Sequence, residues 1–258
     1  MRLLLTNDDS LECPFLHVLV RALRDAGHDL VVVAPKTEQS WIGAAKSRHR
    51  AVAVEPADRG FNCPTWTING TPSDCVSIAL AHVLPALPDA VISGINVGLN
   101  ASLGFILASG TIGGAWEGAL HGLPAIALSQ DLTFEIFDTI KSPGARIPDT
   151  VTRTLRHAAA HAAQMIPPLV AATPPRSFIV HNINFPYPCH AKSEIRHTIP
   201  ARVLVPGIFG PAADDGTHRF TFTLGEPIDP PGSPLTDRAA LAAGHISHSI
   251  LDYTKLGQ

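Results

Sequence analysis

The sequence is poor in charged residues and has no long apolar run, and each shortage excludes a class of protein. Only 16% of the 258 residues are charged, and the formal net charge is −3. The strongly basic composition of nucleic-acid-binding domains is missing, so we expect no nucleic-acid duplex as a partner. No apolar run approaches the roughly 20 residues of a membrane-spanning helix, so we expect no membrane contact.

Cysteines are also scarce, and their spacing argues against a disulfide framework or a zinc site. There are four, without a Cys-x-x-Cys pair. We interpret them as reduced, mostly buried thiols of a cytoplasmic protein. The apolar run at the N-terminus is too short for a secretion signal. His157 and His161 stand one helical turn apart without the glutamate of a zincin motif, and we interpret them as partly exposed.

Hydrophobic residues make up 45% of the chain, and they alternate between strand-like and helix-like patterns. Buried strands are predicted at residues 3–6, 30–34, 89–93 and 124–129, and edge strands at 48–54 and 65–68. Pro14 opens one helix, and Thr71 followed by Asp74 three residues later predicts the capped start of another. This alternation predicts an α/β fold, a Rossmann-like three-layer αβα core with a mostly parallel sheet.

The character of the chain changes after residue 130. A helix is predicted at 151–165 and a strand at 178–184, whereas residues 186–234 are rich in proline. We predict a core at residues 1–186. Residues 187–258 would form a C-terminal β-hairpin arm with a terminal helix and strand. Because such an arm is too thin to bury its own apolar residues, we expect it to pack on another subunit and to serve oligomerisation. The alternative is an irregular segment that follows the surface of its own chain.

An acidic pair marks the end of the first predicted strand. Asp8 and Asp9 follow Asn7 directly, and two like charges in one turn favour a bound cation. Ser40 follows the second strand and Asn96 the third, so these side chains should meet at one edge of the sheet. Their oxygen atoms suit Mg²⁺ or Mn²⁺ better than zinc. The alternative for the pair is a solvated turn or a helix cap.

A run of small residues opens a later helix. Ser109, Gly110 and Thr111 would present free N–H groups and the positive end of the helix dipole, for which phosphate is the natural ligand. The alternative, which we favour for Gly113 and Gly114, is that glycines let the helix pack closely. Neither a Walker loop nor a dinucleotide-binding glycine fingerprint is present.

Five motifs in one order resemble a known family. They read LLLTNDD, VVVAP with a downstream QSWIG, NGTPSDCV, SGINVGLN and SGTIGGAWEG. Together they resemble the SurE family, the survival-protein E nucleotidases. The likeness is dense over residues 1–130 and continues more thinly in HNINFP and TDRAALAAGHISHS.

The resemblance implies a function and an assembly. Members of the family are metal-dependent phosphatases with a Rossmann-like core, acting on nucleoside 5′- and 3′-monophosphates. Some also trim short polyphosphate. They form dimers or tetramers in which C-terminal segments are exchanged. We therefore predict a 5′-nucleotidase that uses Mg²⁺ or Mn²⁺, takes a small nucleotide as substrate, and is a homodimer or homotetramer.

The resemblance also implies roles for individual residues. The implied metal ligands are Asp8, Asp9, Ser40 and Asn96. The residues assigned to the substrate phosphate are Asn7, Asn96, Ser109, Gly110 and Thr111. Asp8 and Asp9 are the predicted catalytic residues, since either would orient or deprotonate the attacking water in addition to binding metal. No general acid for the leaving group is assigned.

The chain departs from the family pattern at three positions. Ser10 and Phe15 stand where the family usually has glycine, and Ala108 stands where an aromatic residue is common. If the turn needs a positive φ, Ser10 must adopt a strained backbone, or else the turn must differ. These departures predict a narrowed or altered substrate range, or weak activity.

Three alternatives remain open from the sequence. A family member that binds nucleotide or metal without turnover is the first. A haloacid-dehalogenase-like phosphatase is the second, although its chemistry needs Asp-x-Asp, and Ser10 and Leu11 stand two residues beyond Asp8 and Asp9. A nicotinamide-dependent oxidoreductase is the third, disfavoured by the missing glycine fingerprint.

Overall fold

The computed structural model describes residues 1–142 and 146–256, which form a mixed sheet between two layers of helices. The helices are α1 Pro14–Asp25, α2 Pro72–Ile78, α3 Leu103–Ala108, α4 Gly110–Leu120, α5 Phe134–Lys141, α6 Asp149–Ala172 and α7 Asp237–Ala242. The strands are β1 Arg2–Thr6, β2 Asp29–Pro35, β3 Val54–Pro56, β4 Thr65–Ile68, β5 Ala90–Val97, β6 Ala125–Gln130, β7 Ile179–Phe185, β8 Ile195–Thr198, β9 Val203–Leu204, β10 Glu226–Pro227 and β11 Ile246–Asp252.

The sheet is buried on both faces, which explains why its central strands are continuous apolar runs. In β1, Leu3 and Leu5 pack in the cluster that contains residues of α1 and α6. Leu4 points to the other face and packs with residues of α2. Successive side chains of a strand face opposite sides, so one short run contributes to two cores.

The strand order confirms the predicted α/β fold. Among the described residues, nine strands form the main sheet in the order β3-β4-β2-β1-β5-β6-β7-β11-β8. The six strands from β4 to β7 in that order pair in parallel, whereas β3 and β11 run antiparallel to their inner neighbours. Strands β8 and β11 come from beyond residue 186, so this part of the chain completes the sheet.

Three predicted boundaries are corrected by the structure. The edge strand β3 begins at Val54, where residues 48–54 were predicted. Strand β5 runs on to Val97, so Asn96, which was predicted to follow the third strand, lies within it beyond a register shift. Helix α6 continues past residue 165 to Ala172, through Pro167 and Pro168. Tertiary packing outweighs the helix-breaking prolines there, since Leu169 also packs against the core.

The predicted arm lies against its own chain. Among the described residues between 199 and 234, antiparallel pairing occurs between β9 and β10 and at a single bridge between Phe209 and Phe220. The ring of Phe220 lies 4.8 Å from that of Trp41, between centroids. Within one chain the segment contacts its own surface, and its exchange between subunits stays a prediction.

Two smaller expectations are also met. The four cysteines are free thiols, and all but Cys63 are buried. His157 and His161 are both partly exposed. None of the helices in the described residues is long and apolar enough to span a membrane.

Candidate functional site

A single cavity joins the ends of the central strands to the start of α4. Its volume is about 570 Å³, within the range of about 300–1,000 Å³ typical of ligand pockets. Four of the predicted site residues line it: Asp8, Ser40, Asn96 and Ser109. The sheet brings them together because β1, β2 and β5 are adjacent parallel strands whose carboxyl ends share one edge.

Asp8 is a buried carboxylate held by the first turn of α4. Its side chain is 3% exposed, and Thr111 Oγ1 donates a hydrogen bond to its Oδ1 at 2.6 Å. Burial, followed by the negative charge of Asp9, raises the pKa of Asp8 to about 7. The carboxyl group thus lies in surroundings that disfavour its negative charge unless a cation is nearby.

Asp9 faces a different set of partners. Its Oδ2 accepts a hydrogen bond from the backbone N–H of Val97 at 2.7 Å, which ties the turn after β1 to the end of β5. Its Oδ1 lies 2.7 Å from Nζ of Lys141, at the end of α5. Burial raises the pKa of Asp9, and the Lys141 ammonium group opposes that rise. The sequence analysis missed Lys141, because no local pattern links it to a residue 132 positions earlier.

The donor atoms at this edge fit a hard divalent cation. Among the described residues, the two adjacent buried carboxylates have one ion-pair partner within 4.0 Å, Lys141, although they carry two negative charges when ionised. Asn7 Oδ1 is also buried without a hydrogen-bond partner in the described structure. Asn96 donates from Nδ2 to the Gly98 carbonyl oxygen at 2.7 Å, which leaves its Oδ1 as the atom able to bind a cation. Carboxylate, amide and hydroxyl oxygens are the ligands that Mg²⁺ and Mn²⁺ prefer.

Two observations qualify the predicted ligand set. Within the described residues, no three His, Cys, Asp or Glu side chains lie together as a metal site. Only two of the four predicted ligands, Asp8 and Asp9, are of those residue types, so a group of three such side chains is not expected at this site. Ser40 Oγ donates to the Glu38 carboxylate and would have to leave that partner to bind a metal. The roles of all four residues stay predictions.

The start of α4 lies directly against the acidic pair. Ser109 caps the helix, its Oγ accepting from the N–H of Ile112 at 3.1 Å. A Cβ built on Gly110 would lie 3.0 Å from Asp8 Oδ2 and 2.9 Å from the Gln39 carbonyl oxygen. Only glycine allows the helix end to come this close, so the N–H groups that favour anions adjoin the carboxylates that favour cations.

Gly113 and Gly114 let α4 pack closely on its neighbours, which is the role favoured for them from the sequence. A Cβ on Gly113 would lie 2.3 Å from the Gly43 carbonyl oxygen. One on Gly114 would lie 3.0 Å from both Thr6 Cγ2 and Ser93 Oγ on the sheet. Gly113 therefore allows α4 to approach the loop after β2, and Gly114 allows it to approach β1 and β5.

The backbone at Ser10 is strained as one alternative predicted. Ser10 has φ +82°, in the left-handed region, and its carbonyl oxygen accepts from Asn7 Nδ2 at 2.8 Å. The turn therefore keeps its glycine-like shape without a glycine, at a cost of about 1–3 kcal/mol.

Replacing Ser10 by glycine is expected to raise the free energy of unfolding by about 1 kcal/mol, because relief of strain exceeds the added freedom of the unfolded chain. Chemical denaturation measures this. Ser10→Ala is the matched control, since alanine keeps the Cβ and should give no gain. Equal stability of the glycine and alanine variants would contradict the account.

Aromatic side chains form the wall of the cavity opposite the carboxylates. Trp41, Phe105, Phe134, Phe220 and Phe222 line it, and we call these five residues the aromatic collar. The sequence analysis assigned none of them a role. A single aromatic residue in a loop carries no such signal, and the collar exists only because four separate segments meet.

A buried histidine pair lies elsewhere in the sheet, between β7 and β11. His181 Nδ1 lies 2.9 Å from His248 Nε2, and Thr173 Oγ1 lies 2.8 Å from His181 Nε2. The ring of His197 is 5.0 Å from that of His248, between centroids. Burial lowers the pKa of both paired histidines, and the neighbouring histidines help to bring that of His248 to about 4.

The pair predicts lower stability in acid. In the unfolded chain histidines bind protons near pH 6.5, whereas folded His248 does so only near pH 4, so stability falls as the pH drops between these values. The full loss from His248 is about 3 kcal/mol. Denaturant titrations from pH 7 to 4 should show a steeper decline for the wild type than for His248→Gln. Asp8 and Asp9, whose pKa values are raised, change the stability in the opposite direction, but they do so equally in the wild type and in His248→Gln. Parallel curves would contradict this prediction.

Comparison with known proteins gives one consistent family. The family model described as survival protein SurE matches residues 3–204. A protein of Solidesulfovibrio magneticus named 5′-nucleotidase SurE is 36% identical over 260 residues, covering 98% of this chain and 92% of its own length. A Brucella abortus protein of the same name is 39% identical over 187 residues, 72% of this chain and 66% of that protein.

A solved structure shows the same fold. The crystal structure of SurE protein from Aquifex aeolicus superposes with a TM-score of 0.73, at 24% sequence identity. The match covers 98% of this chain and 93% of that chain.

Proposed function

The chain belongs to the survival protein SurE family, and from that membership we propose that it is a metal-dependent 5′-nucleotidase. It would hydrolyse nucleoside monophosphates to nucleoside and phosphate, as the names of its relatives state for those proteins. The observation that carries the proposal is the buried pair Asp8 and Asp9 placed against the first turn of α4. Carboxylates that would hold a cation adjoin the helix N–H groups that would hold an anion there, as a phosphoryl group with its counterion requires.

The cation in this proposal is Mg²⁺ or Mn²⁺. Asp8, Asp9 and Asn96 would hold it, with Ser40 once its hydroxyl leaves Glu38. Such a cation, when bound, screens the charge of the phosphate and makes a coordinated water more acidic. Lys141 lies beside the same carboxylates and adds positive charge at this edge.

The protein's own residues would bind the phosphoryl group, position Asp8 and accept a proton from water. The first N–H groups of α4, at Gly110 and Thr111, would hold the phosphoryl oxygens while negative charge grows on them. Thr111 Oγ1 keeps Asp8 in place through its 2.6 Å hydrogen bond. Asp8 or Asp9 would orient the attacking water and accept its proton. No histidine lines the cavity in the described part of the chain, so the proton of the leaving group stays unassigned.

The alternatives are less well supported. A binding protein without turnover is not favoured, because the relatives are named 5′-nucleotidases. An aspartyl-phosphate mechanism would need a second Asp two residues beyond the first, and Ser10 stands there with its own backbone turned away from the regular conformation. Assembly into dimers or tetramers remains part of the proposal, supported by exposed apolar side chains on the arm such as Leu204 and Phe209.

The proposal is tested by phosphate release from AMP and GMP. We expect turnover with Mg²⁺ or Mn²⁺ and none after treatment with a chelator. Restoring either metal should restore activity. Turnover that persists in the chelator, or AMP binding without any phosphate release under both metals, would overturn the proposed function.

A further inference from the structure

The aromatic collar brings together rings from four separate parts of the chain. Trp41 follows β2, Phe105 lies on α3, Phe134 opens α5, and Phe220 and Phe222 come from the arm. The Trp41 ring centroid is 5.6 Å from that of Phe105 and 4.8 Å from that of Phe220. Phe222 lies 5.7 Å from Phe105 and 5.6 Å from Phe134. These separations are typical of interacting aromatic pairs.

Four of the five collar residues line the cavity and are nevertheless exposed to solvent. Trp41 is 40% exposed, and Phe134, Phe220 and Phe222 are 49%, 43% and 41% exposed. A contiguous group of large apolar rings that stays exposed in a folded protein is typical of a binding surface. The polar residues Asp8 and Ser109 line the same cavity.

Trp41 is held in the collar against its backbone preference. Its φ is +61°, in the left-handed region that bulky residues rarely adopt. Such strain is maintained only where surrounding contacts impose it, and it concentrates at functional sites. Trp41 lines the cavity in this conformation, on the loop that carries Ser40.

The charges of the cavity wall do not suit a chain of phosphates. Among the described residues that line the cavity, the charged side chains are Asp8, Asp131 and Arg238. Arg238 lies over the Phe105 ring, 5.0 Å from its centroid. Beyond the acidic pair, the wall thus offers one cation, one carboxyl group and apolar rings, where a polyanion would need several cations.

We propose that the aromatic collar binds the flat ring of the leaving group, with Trp41 as the stacking surface. The enzyme is then selective for phosphate monoesters that carry an aromatic base, over aliphatic monoesters and short polyphosphate. This selectivity rests on the proposed function, since it concerns the group that remains when phosphate leaves the same site.

The test compares two substrates in matched variants. The ratio of kcat/KM for AMP to that for glycerol 2-phosphate measures recognition of the ring. Trp41→Leu, which keeps an apolar side chain but cannot stack, should lower this ratio by about tenfold to a hundredfold, the range of base stacking on an aromatic residue. Trp41→Phe should keep most of it. Tripolyphosphate should be a poor substrate of the wild type.

Phe178→Gly is the matched control for strain. Phe178 also has a positive φ, +56°, and is 37% exposed, but it packs near Trp116 and does not line the cavity. Relief of strain in Phe178→Gly should leave the ratio of kcat/KM for AMP to that for glycerol 2-phosphate unchanged. Trp41→Gly should instead raise the stability and lower this ratio. An unchanged ratio in both Trp41→Leu and Trp41→Gly, or tripolyphosphate cleaved as well as AMP, would overturn the collar's role.

Binding of adenosine separates this inference from the proposed function. Adenosine lacks phosphate, so its saturable quenching of tryptophan fluorescence needs no turnover. Quenching should be strong in the wild type and largely lost in Trp41→Phe, although two other tryptophans remain. If no phosphate ester is hydrolysed but this quenching is found, the nucleotidase proposal fails and the ring site stands. Absence of quenching in the wild type would refute the ring site alone.

Discussion

Replacing Asp8 by asparagine is expected to reduce kcat/KM for AMP by at least about a thousandfold. The change removes a charge that would hold the metal, and such a cation is worth several kcal/mol to the transition state. Asparagine keeps the shape of the side chain, and its Oδ1 can still accept the hydrogen bond that Thr111 now donates at 2.6 Å. The loss therefore reports charge and not local unfolding. Phosphate release under saturating Mg²⁺ or Mn²⁺ measures it.

The same variant has a second readout that a general loss of structure would not give. Without metal, Asp8→Asn should melt at a higher temperature than the wild type. Burial and Asp9 make the carboxylate unfavourable there, as its raised pKa of about 7 shows. The rise in melting temperature on adding metal should be large in the wild type and small in the variant. Wild-type activity, or an undiminished metal-induced rise, would rule out Asp8 as a metal ligand.

Replacing Gly110 by alanine is expected to lower kcat for AMP about a hundredfold, the effect of displacing reacting groups by about 1 Å. The added Cβ would stand 2.9 Å from both the Gln39 carbonyl oxygen and Asp8 Cβ. Neither neighbour can rotate away, because the first is a backbone atom and the second is attached directly to the backbone. Either α4 or the Asp8 turn must shift, which separates the phosphate-binding N–H groups from the carboxylates.

Gly104→Ala is the control for this substitution. Gly104 lies in α3, is exposed, and has no atom within 4 Å of the position that a Cβ would take. Alanine there should gain up to about 1 kcal/mol of stability through helix propensity and leave AMP turnover intact. The Gly110 variant should instead lose about 1–3 kcal/mol from overpacking. Normal turnover by Gly110→Ala would show that the approach of α4 to Asp8 is not needed for catalysis.

The sequence predicted the elements of the core because their signals are local. The capping box of α2 is an example, since Thr71 and Asp74 exchange both predicted hydrogen bonds. The apolar run of β1 and the glycine-rich start of α4 are others. Boundaries were less predictable where packing outweighed propensity, as in α6 beyond residue 165.

The placement of the predicted site residues at one cavity also had a local origin. Parallel strands end at a common edge, so residues at or just beyond the carboxyl ends of β1, β2 and β5 must lie near one another whatever the details of the loops. The sequence likewise located the strain at Ser10, because a missing glycine in a tight turn has only two outcomes, and the φ of +82° is one of them.

The sequence by itself determined the α/β layers, the family, and the polar edge at which Asp8, Asp9 and the start of α4 meet. Only the tertiary structure decided what surrounds that edge. It brought Lys141 to Asp9 and the arm's Phe220 to Trp41, and it paired His181 with His248. These contacts join residues 132, 179 and 67 positions apart, with no repeating pattern between them. A local pattern reflects the period of a helix or strand, whereas such meetings depend on how the whole sheet, its helices and the arm pack together.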